Sequence, residues 1–597
     1  MNNKPERVAD VLSEEKYQLL RLQNKDSVSN SLYNTLIESL GVYLPSNAVS
    51  TRDVMQGCKK PIMLPLEYFT GIKTRRVADK GEFSIDLAKK AIDNCLAHSK
   101  YQPTDLEMLI SANCSRYDGP AQFSFEPSTA IKLKEHFGFD NALVFDVTNA
   151  CAGMFTAIYI VDAFIKAGIV RCGMVVSGEY ITHITHTAQH EIDSSKDPRL
   201  ACLTLGDAGA AVILERSSSE KIGFHDMDIY ILGQYSSYCL AKPTDGEHGG
   251  VIMHTEMTKL AAVGIKQSVI HASQLLKRVG MSLDEFQHII PHQTSRMYLS
   301  KVAREISRVN DKEVRLDGKL ICNLAERGNT ASTSHFVALN DAILNNRIAS
   351  GDNVIFSITA SGLTIGTALY TFDDLPDRLR LSASSKQEPH RVKTGLRNTS
   401  TLNPRTSKIR IESVGTILET SNTGRDAVEL VCNAAEQCFK WSSYHRSDVE
   451  LLIYTGVYRN DFISEPAIAA MIMDKLGINH VVQSPEAKKT LAFDIFNGSI
   501  GFLNACYIAS EIIKAGRCKN AMIVASEIEN NAEVCPNTLR GLNETGSAII
   551  LDENTDRTVG FGNFFFKYFT NQLDTFTSYA TQEKGKTYYI LRKTRNW

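Results

Sequence analysis

The chain has 597 residues. This is too long for a single hydrophobic core, so at least two domains are expected. Its composition, 43% apolar and 22% charged, is typical of globular proteins, and a formal net charge of -2 argues against general attraction to nucleic acid or anionic membranes. No apolar run approaches the ~20 residues that cross a bilayer, and the polar N-terminal segment lacks the apolar centre of a signal peptide. We therefore expect a cytoplasmic protein that binds neither nucleic acid nor membranes.

Short strand-like runs alternate with amphipathic helical stretches from about residue 36 onward. The run Phe83–Ser99 predicts a helix and precedes the strand-like EMLISANC, and the strand-like ALVFDV precedes the helical CAGMFTAIYIVDAFIKAG. This alternation predicts an α/β domain whose sheets are covered by helices. Residues 1–35 are expected to form a helical N-terminal extension.

The composition changes between about Asp377 and Ser407. Ser, Thr, Arg, Lys and Pro dominate the run SASSKQEPHRVKTGLRNTSTLNPRTSK, and apolar periodicity almost disappears, as is typical of a linker. The sequence therefore predicts a first domain over 36–375, a linker over 376–408 and a second unit over 409–597.

After the linker the chain repeats itself. The segment Phe145–Glu179 matches Phe493–Glu527 in residue type and spacing. Shorter echoes keep the same order: IESLGVYLP and IESVGTILE, DLEMLIS and DVELLIY, LGDAGAAVILE and NETGSAIILDE. This agreement indicates a duplicated structural unit, of which the second copy stops soon after its last echo, at roughly half the length of the first.

Thirteen cysteines are scattered through apolar segments without a CxxC pair, so most are expected to be buried free thiols. Cys151 differs because it lies between the strand ALVFDV and the helix that begins CAGM. A helix N-terminus lowers the pKa of a thiol and favours the thiolate, which suits a nucleophile. A small buried cysteine filling a tight turn fits the same residues.

Two further polar residues stand out. His292 follows an apolar run in IIPHQTSRM, and Asn329 precedes a helical stretch in ERGNTASTS. Taken alone, the histidine fits a structural role, and the asparagine fits a turn or a helix N-cap. Neither residue, nor Cys151, decides the function by itself.

Together, the motifs DVTNACAG, PHQ and GNTAS resemble the signatures of the β-ketoacyl-acyl carrier protein synthase III family, in the same order and with comparable separations. TGIKTRR, LGDAGAAVIL and TASGLTIGTALY agree too, so the resemblance covers about Ile37 to Phe372. It implies a thiolase fold with five layers, αβαβα, over 36–375, followed by a partial, degenerate repeat of its N-terminal half. It also implies coenzyme A or phosphopantetheine thioesters as substrates, acyl-CoA or acyl carrier protein as partners, and no bound cofactor or metal.

The resemblance also implies the roles of the three residues. Cys151 would attack the starter thioester and hold the acyl group. His292 and Asn329 would donate hydrogen bonds to the thioester carbonyl of the extender and stabilise its enolate.

Two weaker assignments follow from the same resemblance. Backbone amides of Cys151 and of the turn Ser361–Gly362 would form the oxyanion hole, although the family usually carries a run of glycines there. Lys73, Arg75 and Arg76 of TGIKTRR would contact phosphate. An ordinary solvated basic run is the alternative for these three cations.

Three histidines, His183, His186 and His190, recur at helical spacing, a pattern that is typical of metal ligands. In the resembling family this stretch is a loop over the active site without a metal, and we favour that interpretation.

The second unit has Ser499 where the first has Cys151, and it ends before any counterpart of His292 or Asn329. Serine without an adjacent base is a poor nucleophile, so this unit is expected to be catalytically silent. Family members are typically homodimers that pair through their N-terminal halves. We therefore expect the second unit to take the place of a partner subunit, with Phe462 as a wall of the acyl pocket. Alternatively, it pairs with its equivalent in another chain or is the remnant of a longer tandem enzyme.

Decarboxylative Claisen condensation of an acyl thioester with a malonyl-type or β-ketoacyl thioester is the function that the resemblance favours, in fatty-acid or polyketide-like biosynthesis. A second enzymatic hypothesis passes the acyl group from Cys151 to an alcohol or an amine. The hypothesis of another class is a non-catalytic scaffold that binds carrier proteins.

Overall fold

The structure is a computed structural model that describes residues 34–309, 316, 318–384, 408–418, 426–479, 488–528, 544–554, 556 and 558–593. The predicted helical extension, residues 1–35, lies outside the described residues except for its last two, and Thr35 begins a strand. Residues 385–407 of the predicted linker also lie outside them.

The first unit contains the strands β1 (Thr35–Tyr43), β2 (Asn47–Ser50), β3 (Thr74–Val77), β4 (Met108–Ser111), β5 (Tyr117–Gly119), β6 (Gln122–Glu126), β7 (Leu143–Thr148), β8 (Cys172–Glu179), β9 (Ala208–Arg216), β10 (Gly223–Ile231), β11 (Cys239–Pro243), β12 (Val251–Thr255), β13 (His288–Pro291), β14 (Asn353–Ala360) and β15 (Thr364–Thr371). Its helices are α1 (Thr51–Gln56), α2 (Leu66–Thr70), α3 (Ser84–Ala97), α4 (Thr129–Phe137), α5 (Gly153–Lys166), α6 (Thr182–Glu191), α7 (Met257–Val279), α8 (Arg296–Val309), α9 (Leu324–Arg327), α10 (Ser334–Leu344) and α11 (Leu375–Ser384). The second unit contains β16 (Lys408–Leu418), α12 (Ala427–Trp441), β17 (Leu451–Tyr454), α13 (Ile468–Leu476), β18 (Leu491–Phe496), α14 (Gly501–Lys514), β19 (Asn520–Glu527), β20 (Thr545–Asn554), β21 (Phe576–Glu583) and β22 (Lys586–Lys593).

Five layers make up the first unit. Helices α5 and α10 lie between two sheets, where the ring of Phe155 is 5.2 Å from Phe336 and 5.3 Å from Phe356. Helices α3 and α4 cover the outer face of the larger sheet, and α7, with α8 packed on it, covers the four-stranded sheet β10-β15-β14-β13. Nearly every residue of α5 is buried, as expected for a helix that is apolar all round. The αβαβα thiolase architecture predicted from the sequence is confirmed.

The larger sheet continues from one unit into the other. Its ten strands run β1-β9-β8-β4-β7-β18-β17-β19-β20-β16, so the order in the second unit mirrors the order in the first. Strands β7 and β18 join antiparallel, and Val147 pairs with Ile495, its own counterpart in the repeat. The two units are thus related by an approximate two-fold axis through this junction.

The second unit extends further than the sequence repeat indicates. After the last echo, a short 3₁₀ helix and the hairpin β21–β22 follow, as a 3₁₀ helix and the hairpin β11–β12 do in the first unit. Strand β21 pairs Ser578 with Glu126 of the first unit, and in the mirror position Ala241 of β11 bridges to Glu465 of the second. Each hairpin therefore contacts the opposite unit in the same way.

The linker begins later than predicted, because its first residues continue α11. Leu375 and Leu379 lie one helical turn apart and are buried in the main core. This packing extends the first unit to residue 384. Within the described ranges, no helix combines the length and apolarity that crossing a membrane requires.

Candidate active site

Cys151 lies in a tight turn between β7 and α5. Ala150 adopts the left-handed conformation at φ 48°, and the amides of Ala152 and Gly153 donate to the carbonyls of Asn149 and Ala150 at 3.0 and 2.9 Å. A Cβ on Gly153 would lie 2.8 Å from the carbonyl oxygen of Ala112. Glycine therefore lets α5 begin close to the end of β4, with the thiol at the head of the helix.

His292 follows β13 and is buried, with 4% of its surface exposed. Its Nδ1 lies 2.7 Å from the Oγ of Ser334, and its ring stacks on His335 with centroids 5.7 Å apart. Burial, and then the neighbouring His335, lower the pKa of His292 to about 3, so the imidazole is neutral near pH 7. When the Ser334 hydroxyl donates to Nδ1, the ring proton is on Nε2, where it can be donated to a ligand.

Asn329 lies in the loop after α9. Its side-chain oxygen accepts a hydrogen bond of 3.0 Å from the Ala331 amide, which leaves Nδ2 as the donor. Two backbone bonds of 2.9 Å, to Thr204 and from Gly206, attach this loop to the segment before β9. The asparagine therefore makes the local turn contact that its sequence setting indicates while its amide nitrogen keeps its donors.

These three side chains line one cavity of about 440 Å³, here called the entrance cavity. Ser361, in the turn between β14 and β15, lines it as well, and Gly362 follows Ser361 in that turn. Leu64, Leu200 and Leu260 belong to its largely apolar wall. In such surroundings hydrogen bonds to a ligand are stronger than in water.

Glu465 of the second unit lines the same cavity, and sequence reasoning missed it. Its carboxyl group hydrogen-bonds with the Ser361 side chain, and burial raises its pKa to about 7. The backbone holds it there, because Ala241 N donates to the Glu465 carbonyl at 2.8 Å. The signal in the sequence was the pair Glu-Pro at 126–127, which recurs at 465–466 in the repeat.

Cys151 and Cys114 both line a smaller inner cavity of about 50 Å³ beside the entrance cavity, and sequence reasoning missed Cys114 as well. The hydrogen bond of Cys114 lowers the pKa of Cys151, but burial and the carboxyl groups of Glu465 and Glu179 raise it, and the balance is a raised pKa. The sequence predicts a lowered pKa from the helix N-terminus alone, whereas burial and carboxyl groups from distant segments act in the opposite direction.

The three cations of TGIKTRR do not act together. Arg75 is 1% exposed and donates to the Leu203 carbonyl at 2.8 Å and to Thr51 Oγ1 at 2.6 Å, so its assignment to phosphate is wrong. Arg76 donates to the Ser46 carbonyl at 2.8 Å, whereas Lys73 is exposed. Among the residues that the structure describes, Lys301 of α8 is the one cationic side chain that lines the entrance cavity.

Phe462 lines a third cavity of about 170 Å³, here called the distal chamber. Its ring is 4.6 Å from that of Tyr589. Its neighbour Ser464 lines both this chamber and the inner cavity, and Glu465 lines the inner cavity beside Cys151. Glu465 thus shares a cavity with Cys151, whereas Phe462 lines the distal chamber, and its role as a wall of the acyl pocket stays a prediction.

The three histidines of ITHITHTAQHE separate in space. His183 faces the inner cavity and the distal chamber, whereas the ring of His190 stacks on His248 at 4.8 Å and His186 is exposed. Over the described ranges, no three His, Cys, Asp or Glu side chains are grouped as metal ligands would be.

The second unit has packed side chains where the first unit has its inner cavity. Ser499 is exposed, and an aromatic cluster packs where the first unit has its inner cavity: Phe125, Tyr458, Phe496 and Tyr589. The guanidinium of Arg116 lies 3.6 Å from the Phe496 ring centroid.

Comparison with known proteins matches the first unit. Residues 145–233 match the family model of 3-oxoacyl-[acyl-carrier-protein] synthase III, and residues 276–372 match the model of its C-terminal part. The chain carries a ketoacyl synthase III-like domain. By class this domain is an acyltransferase that condenses thioesters, as its sequence motifs indicate.

Individual relatives match this domain over nearly their whole length. The β-ketoacyl-[acyl-carrier-protein] synthase III of Sulfurimonas denitrificans is 24% identical over 349 residues, which cover 56% of this chain and 98% of the relative. The enzyme of Clostridium novyi is 27% identical over 348 residues, covering 57% and 99%. The crystal structure of the Aquifex aeolicus synthase III is 23% identical with a TM-score of 0.47, covering 57% of this chain and 100% of that one.

Proposed function

We propose that Cys151 carries an acyl group which the enzyme condenses with a malonyl-type thioester. The observation that supports this most directly is that Cys151, His292 and Asn329, from three separate elements, line one cavity. The Cys151 thiolate attacks the starter thioester, the carrier thiol leaves, and the acyl group stays on sulfur. The extender then loses carbon dioxide, and its enolate attacks the acyl carbonyl and releases Cys151.

His292 and Asn329 act on the extender. Nε2–H of the neutral histidine and Nδ2–H of the asparagine donate to the thioester carbonyl, where negative charge develops as the carboxylate leaves. The charge that forms on the acyl carbonyl is stabilised by the backbone amides of Cys151 and of the Ser361–Gly362 turn. Because these donors are fixed by Ser334, by Ala331 and by the fold, they need little reorganisation during the reaction.

The entrance cavity fits the arm of a carrier. Its apolar wall suits a pantetheine chain, and Lys301 provides a cation for a phosphate group. The relatives are named for acyl carrier protein, and we propose that coenzyme A or acyl carrier protein delivers the acyl groups here as well.

A second candidate function is transfer of the acyl group to an alcohol or an amine. Glu465 favours it, since a buried carboxyl group with a pKa of about 7 beside the acyl cysteine can accept a proton from such a nucleophile. Carbon–carbon bond formation uses His292 and Asn329 instead. The two reactions are therefore distinguished by the acceptor of the acyl group, which is an alcohol or amine in one and a malonyl-type thioester in the other. A purely scaffolding role fits the second unit alone, where Ser499 lacks these partners.

We also propose that the second unit replaces a partner subunit within one chain. The mirrored strand order, the self-matching register of β7 with β18 and the reciprocal hairpin contacts all support this arrangement. In this proposal the second unit is silent in catalysis and supplies Glu465 to the site.

Intact-protein mass spectrometry tests the catalytic proposal. The chain is incubated with acetyl, octanoyl and longer acyl thioesters of coenzyme A and of acyl carrier protein. We expect one acyl adduct that is absent in Cys151→Ala, and addition of malonyl thioester should discharge it as a β-keto product. An adduct that persists in Cys151→Ala would contradict the proposed nucleophile, and discharge only by amines or alcohols would favour acyl transfer.

A further inference from the structure

Beyond Cys151 the site continues into the distal chamber. The inner cavity and this chamber share five lining residues: Tyr117, Phe123, His183, Val251 and Ser464. An acyl group on Cys151 that points away from the entrance cavity therefore extends toward the chamber.

The chamber is walled by both units and by the C-terminal hairpin. Phe462 and Ser464 come from the second unit, and Ala580, Thr581, Gln582 and Thr587 come from β21 and β22. The hairpin is held against the first unit by the pairing of Ala580 with Phe123 and by the hydrogen bond between Gln582 and the Gly250 amide. This end of the site therefore depends on residues outside the ketoacyl synthase III-like domain.

Rings dominate the lining. The centroid of Tyr117 lies 5.5 Å from Phe123 and 4.5 Å from His183, and the ring of Tyr180 lies 5.3 Å from His183 and 5.6 Å from Phe83. Two of these four pairs, Tyr117 with Phe123 and Tyr180 with Phe83, meet edge to face, and the two pairs with His183 are tilted. Aromatic rings favour such arrangements with a further ring. Within the described residues the lining includes no Asp, Glu, Lys or Arg, so a charged group would lack a partner there.

The size of the chamber also favours a ring. An apolar protein cavity of about 150 Å³ binds benzene, and the distal chamber measures about 170 Å³. Burial keeps His183 neutral, with its pKa lowered to about 3, so the histidine adds a ring to the wall without adding a charge.

We propose that the distal chamber binds an uncharged aromatic ring at the end of the starter acyl group held by Cys151. This inference rests on the proposed acyl-cysteine function and names its substrate class, an arylalkanoyl thioester. The aromatic wall should favour an aryl over a saturated ring by about 2- to 10-fold, the range of aromatic pairs in proteins. Acetyl donors reach only the inner cavity and should react whatever fills the chamber.

Three acyl donors of similar length distinguish an aromatic ring from a saturated ring and from an open chain: 3-phenylpropanoyl-CoA, 3-cyclohexylpropanoyl-CoA and heptanoyl-CoA. Acetyl-CoA is the reference donor. Rates of Cys151 acylation are measured by intact mass on the full chain. Thr587→Trp fills the chamber from the partly exposed strand β22, and Lys586→Trp, at the exposed neighbouring position, is the matched control.

We expect the phenyl donor to react faster than the cyclohexyl and heptanoyl donors. Thr587→Trp should slow the phenyl donor at least tenfold relative to acetyl-CoA, and Lys586→Trp should not. Heptanoyl-CoA as the best donor, or a phenyl rate unchanged by Thr587→Trp, would overturn the inference while leaving the acyl-cysteine function intact.

A binding measurement covers the case in which no donor acylates the protein, which would remove the proposed function. Dissociation constants of 3-phenylpropanoyl-CoA and acetyl-CoA are measured on Cys151→Ala with and without Thr587→Trp. A preference for the phenyl compound that Thr587→Trp removes supports the chamber as an aryl site, and equal affinities for both compounds would refute it.

Discussion

The Cys151 thiol shows how far a single reactive group depends on residues from other segments. Cys114 lowers its pKa through a hydrogen bond, whereas burial, Glu465 and Glu179 raise it. Glu465 belongs to the second unit, and its own pKa of about 7 makes its effect on the thiol depend on pH. His292, in contrast, has a pKa of about 3 and stays neutral over the physiological range.

Replacing Glu465 by glutamine should increase the fraction of Cys151 that is thiolate, and only in alkaline solution. Below pH 7 the carboxyl group is protonated and glutamine resembles it, whereas above pH 7 the ionised carboxylate raises the pKa of Cys151. One pKa unit would give up to about a tenfold faster reaction of the variant with iodoacetamide at pH 8.5.

Alkylation at Cys151 is followed by peptide mass spectrometry between pH 6 and 9. The control is Glu436→Gln, a half-exposed position in the same unit that pairs with Arg446. Equal rates for Glu465→Gln and the unmodified chain at pH 8.5 would show that Glu465 does not act on the thiol.

Ser334→Ala should slow condensation more than acylation. The Ser334 hydroxyl lies 2.7 Å from Nδ1 of His292, and without it the ring proton is no longer held on Nε2. A net hydrogen bond of about 0.5–1.5 kcal/mol corresponds to roughly a 2- to 10-fold loss. Single-turnover kinetics separate the two steps, with Ser307→Ala as a control, and an equal loss in both steps would contradict a role confined to the extender.

At the scale of elements, the helices α5 and α14 show how the two units are fastened together. They are counterparts in the repeat, and the rings of Phe164 and Tyr507 meet edge to face at 5.3 Å. Asp162, fully buried on α5, accepts a hydrogen bond from Arg517 of the second unit and forms an ion pair with Lys166 at 3.0 Å. A buried carboxylate of this kind requires its cations, because ionised groups are costly to bury without partners.

Arg517→Ala should destabilise the chain by about 3 kcal/mol, because Asp162 is left with Lys166 alone. Arg171→Ala removes a pair with Glu107 in which the arginine is 58% exposed, and it should cost about 1 kcal/mol or less. Urea denaturation of both variants measures the difference. Adding Asp162→Asn to Arg517→Ala should recover part of the loss, and similar midpoints for the two single variants would refute the buried pair.

At the scale of the whole molecule, a ten-stranded sheet and a hydrophobic core run through both units, which supports the proposal that the second unit replaces a partner subunit. The two units have similar backbones, and each hairpin contacts the opposite unit. The side chains at the two corresponding sites differ. One site holds cavities around Cys151, and the other is packed with aromatic side chains. A dimer of identical chains has to keep both sites alike, whereas a tandem chain is free to specialise one of them.

A chain shortened to end at residue 384 should dimerise or aggregate, whereas the full chain should sediment as a monomer. Removal of the second unit uncovers the edge of β7 and the apolar face of α5, and such edges and faces associate. Sedimentation velocity measures both states. A shortened chain that is monodisperse, monomeric and fully active would contradict the pairing proposal.

The sequence alone predicted the thiolase architecture, and it identified Cys151, His292 and Asn329 as the candidate site. These residues lie in short local patterns, a strand end before Cys151 and His292 and a Gly-containing turn at Asn329, whose conformation depends mainly on nearby residues. The structure brings the three together, and their catalytic roles remain the proposal tested by the acylation experiment. The repeat was visible because matching residue types recur at matching spacing.

Tertiary structure alone decided what surrounds those residues. Glu465, Cys114 and Lys301 reach the cavities from segments far apart in the chain, and no local pattern encodes such contacts. The sequence predicts a surface cation at Arg75, but the side chain is buried. Its hydrogen-bond acceptors, Leu203 and Thr51, come from other segments of the chain. The hairpin β21–β22 has little sequence likeness to β11–β12, yet it is placed by the same pairing geometry. Strand pairing is a property of backbone groups that many sequences satisfy, so only the assembled fold revealed it.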